Sequence, residues 1–398
     1  MVPEGWDKKN LQDIAKVTSG GTPSKRNEEY WGGDIPWVRT TEVQNCIINS
    51  GDVEVFLTKE GVKNSSAKLL PEKTILLAMI GQGKTRGQVA LSKIKITTNQ
   101  NCAAIILSEG FHPEFYYNFL LSQYQQIRNF SNSAGQSNLS GALVKSIKVP
   151  VPPLVEQQKI ARILSTWDEA ITTTEHLIEA SRKQKLALMQ QLLTGKRRLS
   201  GFEGEWLEHK LGDLFNERNE SGWTELPLLA VTGSAGVIDR DDLARRDTSS
   251  EDKGKYKRLC VGDIGYNTMR MWQGVSGLSD KEGLISPAYT VITPTSKVRS
   301  LFAAYLFKFP RMIHEFYKHS QGLVSDTWNL KYKYFAEIKV KVPGIDEQNA
   351  IAKVLSRADN EIETLQNKLD CLKQEKKALM QQLLTGQRRV NVEEEAVA

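Results

Sequence analysis

The residues best suited to chemistry in this 398-residue chain are scattered rather than clustered. Four cysteines, Cys46, Cys102, Cys260 and Cys371, show no Cys-x-x-Cys spacing, and five histidines, His112, His176, His209, His314 and His319, make no metal-ligand pattern. His-Glu-x-x-His, Gly-x-Ser-x-Gly with a placed histidine, the dinucleotide fingerprint, a methyltransferase cofactor loop and an aromatic tetrad of the NPPF or DPPY type are all missing. The stretch GQGKTRGQ at 81–88 looks like a phosphate loop but lacks the GxxxxGK[ST] spacing that cradles a nucleotide. What remains is a polar loop carrying Lys84, Thr85 and Arg86. Such side chains suit phosphate oxygens and guanine edges, and they equally suit a solvated hairpin tip.

Composition narrows the class. Lys and Arg number 53 against 47 Asp and Glu, a formal charge of +6, with 40% hydrophobic residues. No run approaches the roughly 18 apolar residues of a membrane span, and MVPEGWDKKN has no apolar signal core, so a cytoplasmic protein is expected. Residues 1–150 hold 17 basic and 13 acidic groups, which favours attraction of a polyanion to the first half.

The elements that would position these groups are organised by a repeat. Residues 151–199 return without a gap at 342–390, offset by 191, with 23 of 49 positions identical. In the second copy Ile351, Leu355, Ala358, Ile362, Leu365, Leu369, Leu372, Lys376, Leu379 and Leu383 alternate four and three apart, an a/d seam over four heptads. The first copy is weaker, with Thr174, Ser181 and Lys185 among its seam positions. Each helix is expected to start near the EQ glutamate, Glu156 or Glu347, and to stop at Gly195 or Gly386. About 38 residues at ~1.5 Å each make a rod of about 57 Å. Two such helices in one chain bury their seams either against each other as an antiparallel pair or separately on oligomeric partners.

Each helix follows a globular segment of similar plan. Short apolar runs at 53–57, 74–80, 88–92 and 102–108 read as strands of a mixed or antiparallel sheet, and 111–131 as an amphipathic helix. The second half echoes this with FEGEWLEHKLGDL, a charged excursion at 240–258, the strand SPAYTVIT and a helix at 301–319. The expected class is α+β. Two similar α/β domains, 1–150 and 200–341, are separated by a long antiparallel two-helix coiled-coil spacer, 151–199 and 342–390, with a flexible tail at 391–398. Two unequal domains on a rod suit two different sites on one extended ligand such as duplex DNA. The near-identical ends LALMQQLLTGKRR and KALMQQLLTGQRR suit two copies of one protein, with Leu188, Gln191, Leu192 and Arg197, and Leu379, Gln382, Leu383 and Arg388, as the docking residues.

GGTPSKRNEEYWGGDIPWVR, KVPVPPLVEQQKIARIL, LMQQLLTGKRR, MRMWQG with SPAY, and VPGIDEQNAIAKVL with LMQQLLTGQRR together resemble the specificity subunit of type I restriction-modification systems, over essentially residues 1–390. The resemblance implies a non-catalytic subunit whose two target recognition domains each read half of an asymmetric bipartite DNA target. It also implies two modification subunits that bind S-adenosylmethionine and methylate adenine, and restriction subunits using ATP and Mg where present. No cofactor is expected in this chain. By the same resemblance Lys25, Arg26, Gln82, Lys84, Thr85, Arg86, Ser137 and Asn138 lie toward DNA in the first domain. Asn267, Arg270, Met271, Trp272 and Thr327 to Lys331 do so in the second. Asn267 offers the donor and acceptor pair adenine requires, while Trp272 either stacks by a displaced base or packs in a core. The competing function is a standalone two-domain DNA-binding or scaffold protein whose helices only self-associate.

Overall fold

The repeated segment folds as two 39-residue helices, Leu154–Leu192 and Ile345–Leu383, in a computed structural model. Residues 2–81, 83–133, 138–233, 235–243, 252–323 and 327–391 are described. Both helices begin two residues earlier than the EQ glutamate, because the carbonyls of Pro153 and Gly344 already accept from Gln157 and Gln348. Both end in the same way. Gly195 and Gly386 take left-handed φ of 68° and 74°, and the N–H groups of Arg197 and Arg388 return to the carbonyls of Gln191 and Gln382.

The chain divides into two compact units, residues 1–174 with 368–398, and residues 175–367. Each unit holds one half of each long helix. Within the first, Asp168 pairs with Lys376 and Glu156 with Arg389, so numbering rises on one helix as it falls on the other. Within the second, Lys185 pairs with Asp359 and Arg198 with Glu347 in the same sense. The helices therefore pack antiparallel in each unit. Ile160 and Leu164 join Leu383 and Leu384 in one core; Met189 and Leu192 join Ile351 and Leu355 in the other.

The first unit carries a five-stranded sheet in the order Ala15–Ser19, Cys102–Leu107, Ile75–Ala78, Val89–Ser92 and Cys46–Ile48. Only the last pairing is parallel, so the sheet is mixed. Ile75–Ala78 is buried at every position, which explains a continuous apolar run where a half-exposed strand would alternate. The second unit repeats the first four strands as Phe215–Arg218, Tyr289–Pro294, Ile264–Asn267 and Ser276–Leu278, all antiparallel. An antiparallel ribbon, Asp7–Asn10 with Lys148–Val151 or Leu207–Lys210 with Lys339–Val342, leads into each long helix.

Three local expectations change. The apolar run at 53–57 pairs as a strand only at Phe56–Leu57. The helix expected at 111–131 is two, Pro113–Ser122 and Tyr124–Ser133. That expected at 301–319 is also two, Ser300–Lys308 and Pro310–His319, because Pro310 has no N–H to continue the ladder and Phe309 is extended before it. No described helix is long and apolar enough to cross a membrane.

Candidate nucleic-acid interface

The two loops singled out in sequence occupy the same place in the two units. In the first, residues 79–88 join the adjacent strands Ile75–Ala78 and Val89–Ser92, closed by Ala78 and Gln88 and by Gly87 donating to the Ala78 carbonyl at 2.9 Å. In the second, residues 268–275 join Ile264–Asn267 and Ser276–Leu278, closed by Asn267 donating to the Val275 carbonyl at 3.0 Å. The paired strand ends fix both exits of each loop. A further backbone bond ties in the segment before the ribbon: Leu139 donates to Met79 at 2.9 Å, and its repeat partner Leu330 donates to Thr268 at 2.8 Å. That bond brings Asn138, exposed, beside the first loop and Lys331, also exposed, beside the second.

Helix pairs pin the loops from behind. In the first unit the Tyr124 hydroxyl donates to the Lys84 carbonyl at 2.6 Å, and Arg128 donates to that hydroxyl at 2.7 Å. Lys84 keeps its side chain exposed, while Thr85 and Arg86 are half-buried. In the second unit Met271–Gln273 form a short 3₁₀ turn ending at Gly274, whose φ is +77°. A Cβ there would lie 2.8 Å from Ile313 Cδ1 on the helix behind, but it is the left-handed conformation that favours glycine. Arg270 is exposed, and Asn267 is half-buried with its Oδ1 already accepting from the Met269 N–H at 3.0 Å.

One expected contact changes. Met271 is fully buried in the core of the second unit, so it supports the loop and is withdrawn as a surface contact. Trp272 is half-buried, edge-on to Trp328 with ring centres 5.2 Å apart, and its indole N–H donates to the Met269 carbonyl at 3.0 Å. Tyr317 extends the aromatic cluster, packing on Trp328 at 5.0 Å, and is 44% exposed. Thr327 is exposed close by in sequence. Gln82 and Ser137 lie outside the described residues.

Lys25 and Arg26 are both exposed on the loop after the first strand. Their segment is anchored by Gly21 donating to the Thr98 carbonyl at 2.8 Å and by the Thr22 hydroxyl donating to Gln100 Oε1 at 2.6 Å. Gly20 is forced by that approach, since a Cβ would sit 1.9 Å from the Thr98 carbonyl oxygen. The turn at 99–101 also meets the loop at 79–88, because the Asn101 carbonyl accepts from the Met79 N–H at 2.9 Å. Sequence reasoning missed this turn. Its signal was the polar run NQN between the buried strands Thr97–Thr98 and Cys102–Leu107, with Gln100 exposed.

The docking residues divide by exposure. Gln191 and Arg197, with Gln382 and Arg388, are exposed at equivalent positions, and Leu188 and Leu379 are half-buried. Leu192 and Leu383 are buried in the cores of their own units, because the helix face they occupy packs against the globular part. They are corrected from docking residues to core residues. Among the described residues no group of three or more His, Cys, Asp or Glu could hold a metal ion.

Comparison with known proteins agrees with this twofold plan. The chain is 35% identical over 196 residues to the type I restriction enzyme MjaIX specificity subunit of Methanocaldococcus jannaschii, covering 48% of this chain but only 44% of that protein. It is 24% identical to the MjaVIII specificity subunit of the same organism, covering 98% of this chain and 94% of that one. Among solved structures, the type I restriction-modification S subunit from M. genitalium superposes with a TM-score of 0.58 at 18% identity, covering 96% of each chain, a likeness of fold. The family described as type I restriction modification DNA specificity domain matches twice, at residues 3–180 and 203–374, once on each globular segment with most of the long helix that follows it. The chain belongs to that family.

Proposed function

We propose that this chain is the sequence-reading subunit of a type I restriction-modification complex. Each globular domain reads one half of an asymmetric, bipartite duplex target. The observation that carries this is the pair of loops at 79–88 and 268–275: the same backbone frame holds them, and their side chains differ. Similar frames with different side chains suit two half-sites of different sequence. Lys84 with Arg86 and Asn138 serve the first half-site, with Lys25 and Arg26 on the neighbouring loop. Asn267, Arg270 and Lys331 serve the second, with Thr327 beside the aromatic cluster.

The chain itself is non-catalytic in this reading. Two modification subunits dock on the exposed, duplicated ends around Gln191 and Arg197 and around Gln382 and Arg388, bringing S-adenosylmethionine and adenine methylation. Restriction subunits, where they join, bring ATP and Mg. Duplication of those ends within one chain supports a partner present twice. The cytoplasm, where host DNA is modified and foreign DNA restricted, is the compartment that suits this role.

Co-expression with the cognate modification subunit, followed by mapping of methylated adenines, tests the proposal. The expected result is a stable complex and methylation within a single two-part sequence. A chain that purifies alone and directs no methylation would return the reading to a self-associating scaffold.

A further inference from the structure

The second unit contains a cation that meets no counter-charge among the described residues. Lys308 ends the helix Ser300–Lys308, and its ammonium donates to the Gly233 carbonyl at 3.0 Å and to the Gly274 carbonyl at 2.9 Å. Gly274 closes the reading loop at 268–275, while Gly233 lies in the turn between Leu229–Thr232 and Gly236–Asp239. One ammonium thus bridges two turns, and of its three N–H donors two are committed. The other half-buried cations of this unit's sheets meet carboxylates: Arg218 with Asp263 at 2.7 Å, Lys257 with Glu217 at 3.8 Å, and Arg258 with Glu282 at 2.6 Å. Lys281, further out, meets Asp239 at 2.8 Å. Lys308 meets only neutral carbonyls among the described residues.

Withdrawing an ammonium from water with no anion nearby is costly, and such costs concentrate at functional sites. Burial lowers Lys308 from an ordinary 10.5 to about 8, and no charged side chain of its own helix, of either turn or of Pro310–His319 acts on it in either direction. We propose that the missing counter-charge is a phosphodiester of the target duplex, with the third N–H of Lys308 donating to a phosphate oxygen beside the reading loop. This rests on the DNA-recognition reading and assigns that loop a backbone anchor. At the corresponding pin of the first unit the Tyr124 hydroxyl holds the loop, with Arg128 donating to that hydroxyl.

The test uses the assembled complex and a duplex carrying its mapped methylation target. Lys308→Gln keeps N–H donors for the glycine carbonyls and removes the charge; Lys308→Arg keeps the charge. One phosphate contact contributes about 0.9 to the slope of log affinity against log salt, so the glutamine variant should lose about that much slope and the arginine variant none. The complex should also take up protons on binding at about pH 8.5, because a phosphate restores the charged form of a group titrating near 8, and Lys308→Arg should abolish that uptake. Weaker binding by Lys308→Gln with unchanged slope would make Lys308 a loop pin only and overturn the proposal. Equal proton uptake by the wild-type and Lys308→Arg complexes would overturn it even if the glutamine variant failed to fold. A wild-type complex that does not bind the duplex at all would instead bring down the recognition reading itself.

Discussion

Replacing Glu347 by glutamine should destabilise the second unit by about 2–3 kcal/mol. Glu347 lies at the start of the second long helix with its side chain only 3% exposed, and both carboxylate oxygens accept from Arg198, at 2.5 and 2.7 Å. Arg198, 27% exposed, also donates to the Gly204 carbonyl at 2.6 Å, so it clasps helix end and following loop together. Breaking a fully buried pair costs about 3–5 kcal/mol and an exposed one under about 1, which places this quarter-exposed arginine between them. The first unit provides an internal control. Glu156 is 7% exposed against Arg389 at 42%, so Glu156→Gln should cost less, about 1–2 kcal/mol. Urea denaturation of each variant, and of each paired with its arginine changed to methionine, measures the couplings. A Glu347–Arg198 coupling below about 0.5 kcal/mol would refute the argument that burial makes this clasp matter. So would a larger loss from Glu156→Gln than from Glu347→Gln.

Gly274→Ala should cost about 1–2 kcal/mol and weaken recognition of one half-site, because the φ of +77° strains any side chain and the new Cβ meets Ile313; unchanged thermal stability would contradict the left-handed turn. Glu114 gives a pH prediction. Burial pushes its carboxyl upward, but the bond from Lys93 at 2.8 Å, with backbone and charge contributions, outweighs that and leaves it below its ordinary 4.5. A depressed value means stability is fully present above the unfolded pKa and is lost as pH falls through the folded one. Denaturation midpoints should therefore fall as pH drops below about 4.5, less steeply in Glu114→Gln; equal slopes would remove Glu114 from the account.

The long helices were legible because two signals agreed: a 191-residue offset and a seam of alternating four and three. Their polar seam positions were legible only as interruptions. Lys185 meets Asp359 at 2.5 Å and Lys376 meets Asp168 at 2.5 Å, and all four residues are identical between the copies at matching positions. In an antiparallel pair, contacting residues keep a nearly constant sum of numbers, so one Lys–Asp contact implies the other. Tyr305 adds a hydroxyl donating to Asp359 at 2.7 Å, joining the domain helix to the bridge. The Lys185 position is thus a place where three elements meet. The break at Pro310 stood in plain view, but amphipathic spacing continued across it and outvoted the proline.

The reading loops were legible as polar, glycine-bounded stretches, yet their internal geometry was not. Met271 and Trp272 sit side by side in MRMWQG, and what separates them is the core beneath one and Trp328 beside the other, 56 residues on. The pins are equally remote: Tyr124 reaches Lys84 across 40 residues and Lys308 reaches Gly233 across 75. Local periodicity carries no information about such pairs, because they are fixed by how a helix pair lies against a sheet edge. Backbone bonds of the frame recur, with the donors Leu139 and Leu330 at the repeat offset and the acceptors Met79 and Thr268 each first in its loop, whereas the pins exchange a phenol for an ammonium. A frame that tolerates such an exchange lets side chains on the loop change without moving its ends. That separation is what a protein needs if its two domains are to read different sequences from one architecture.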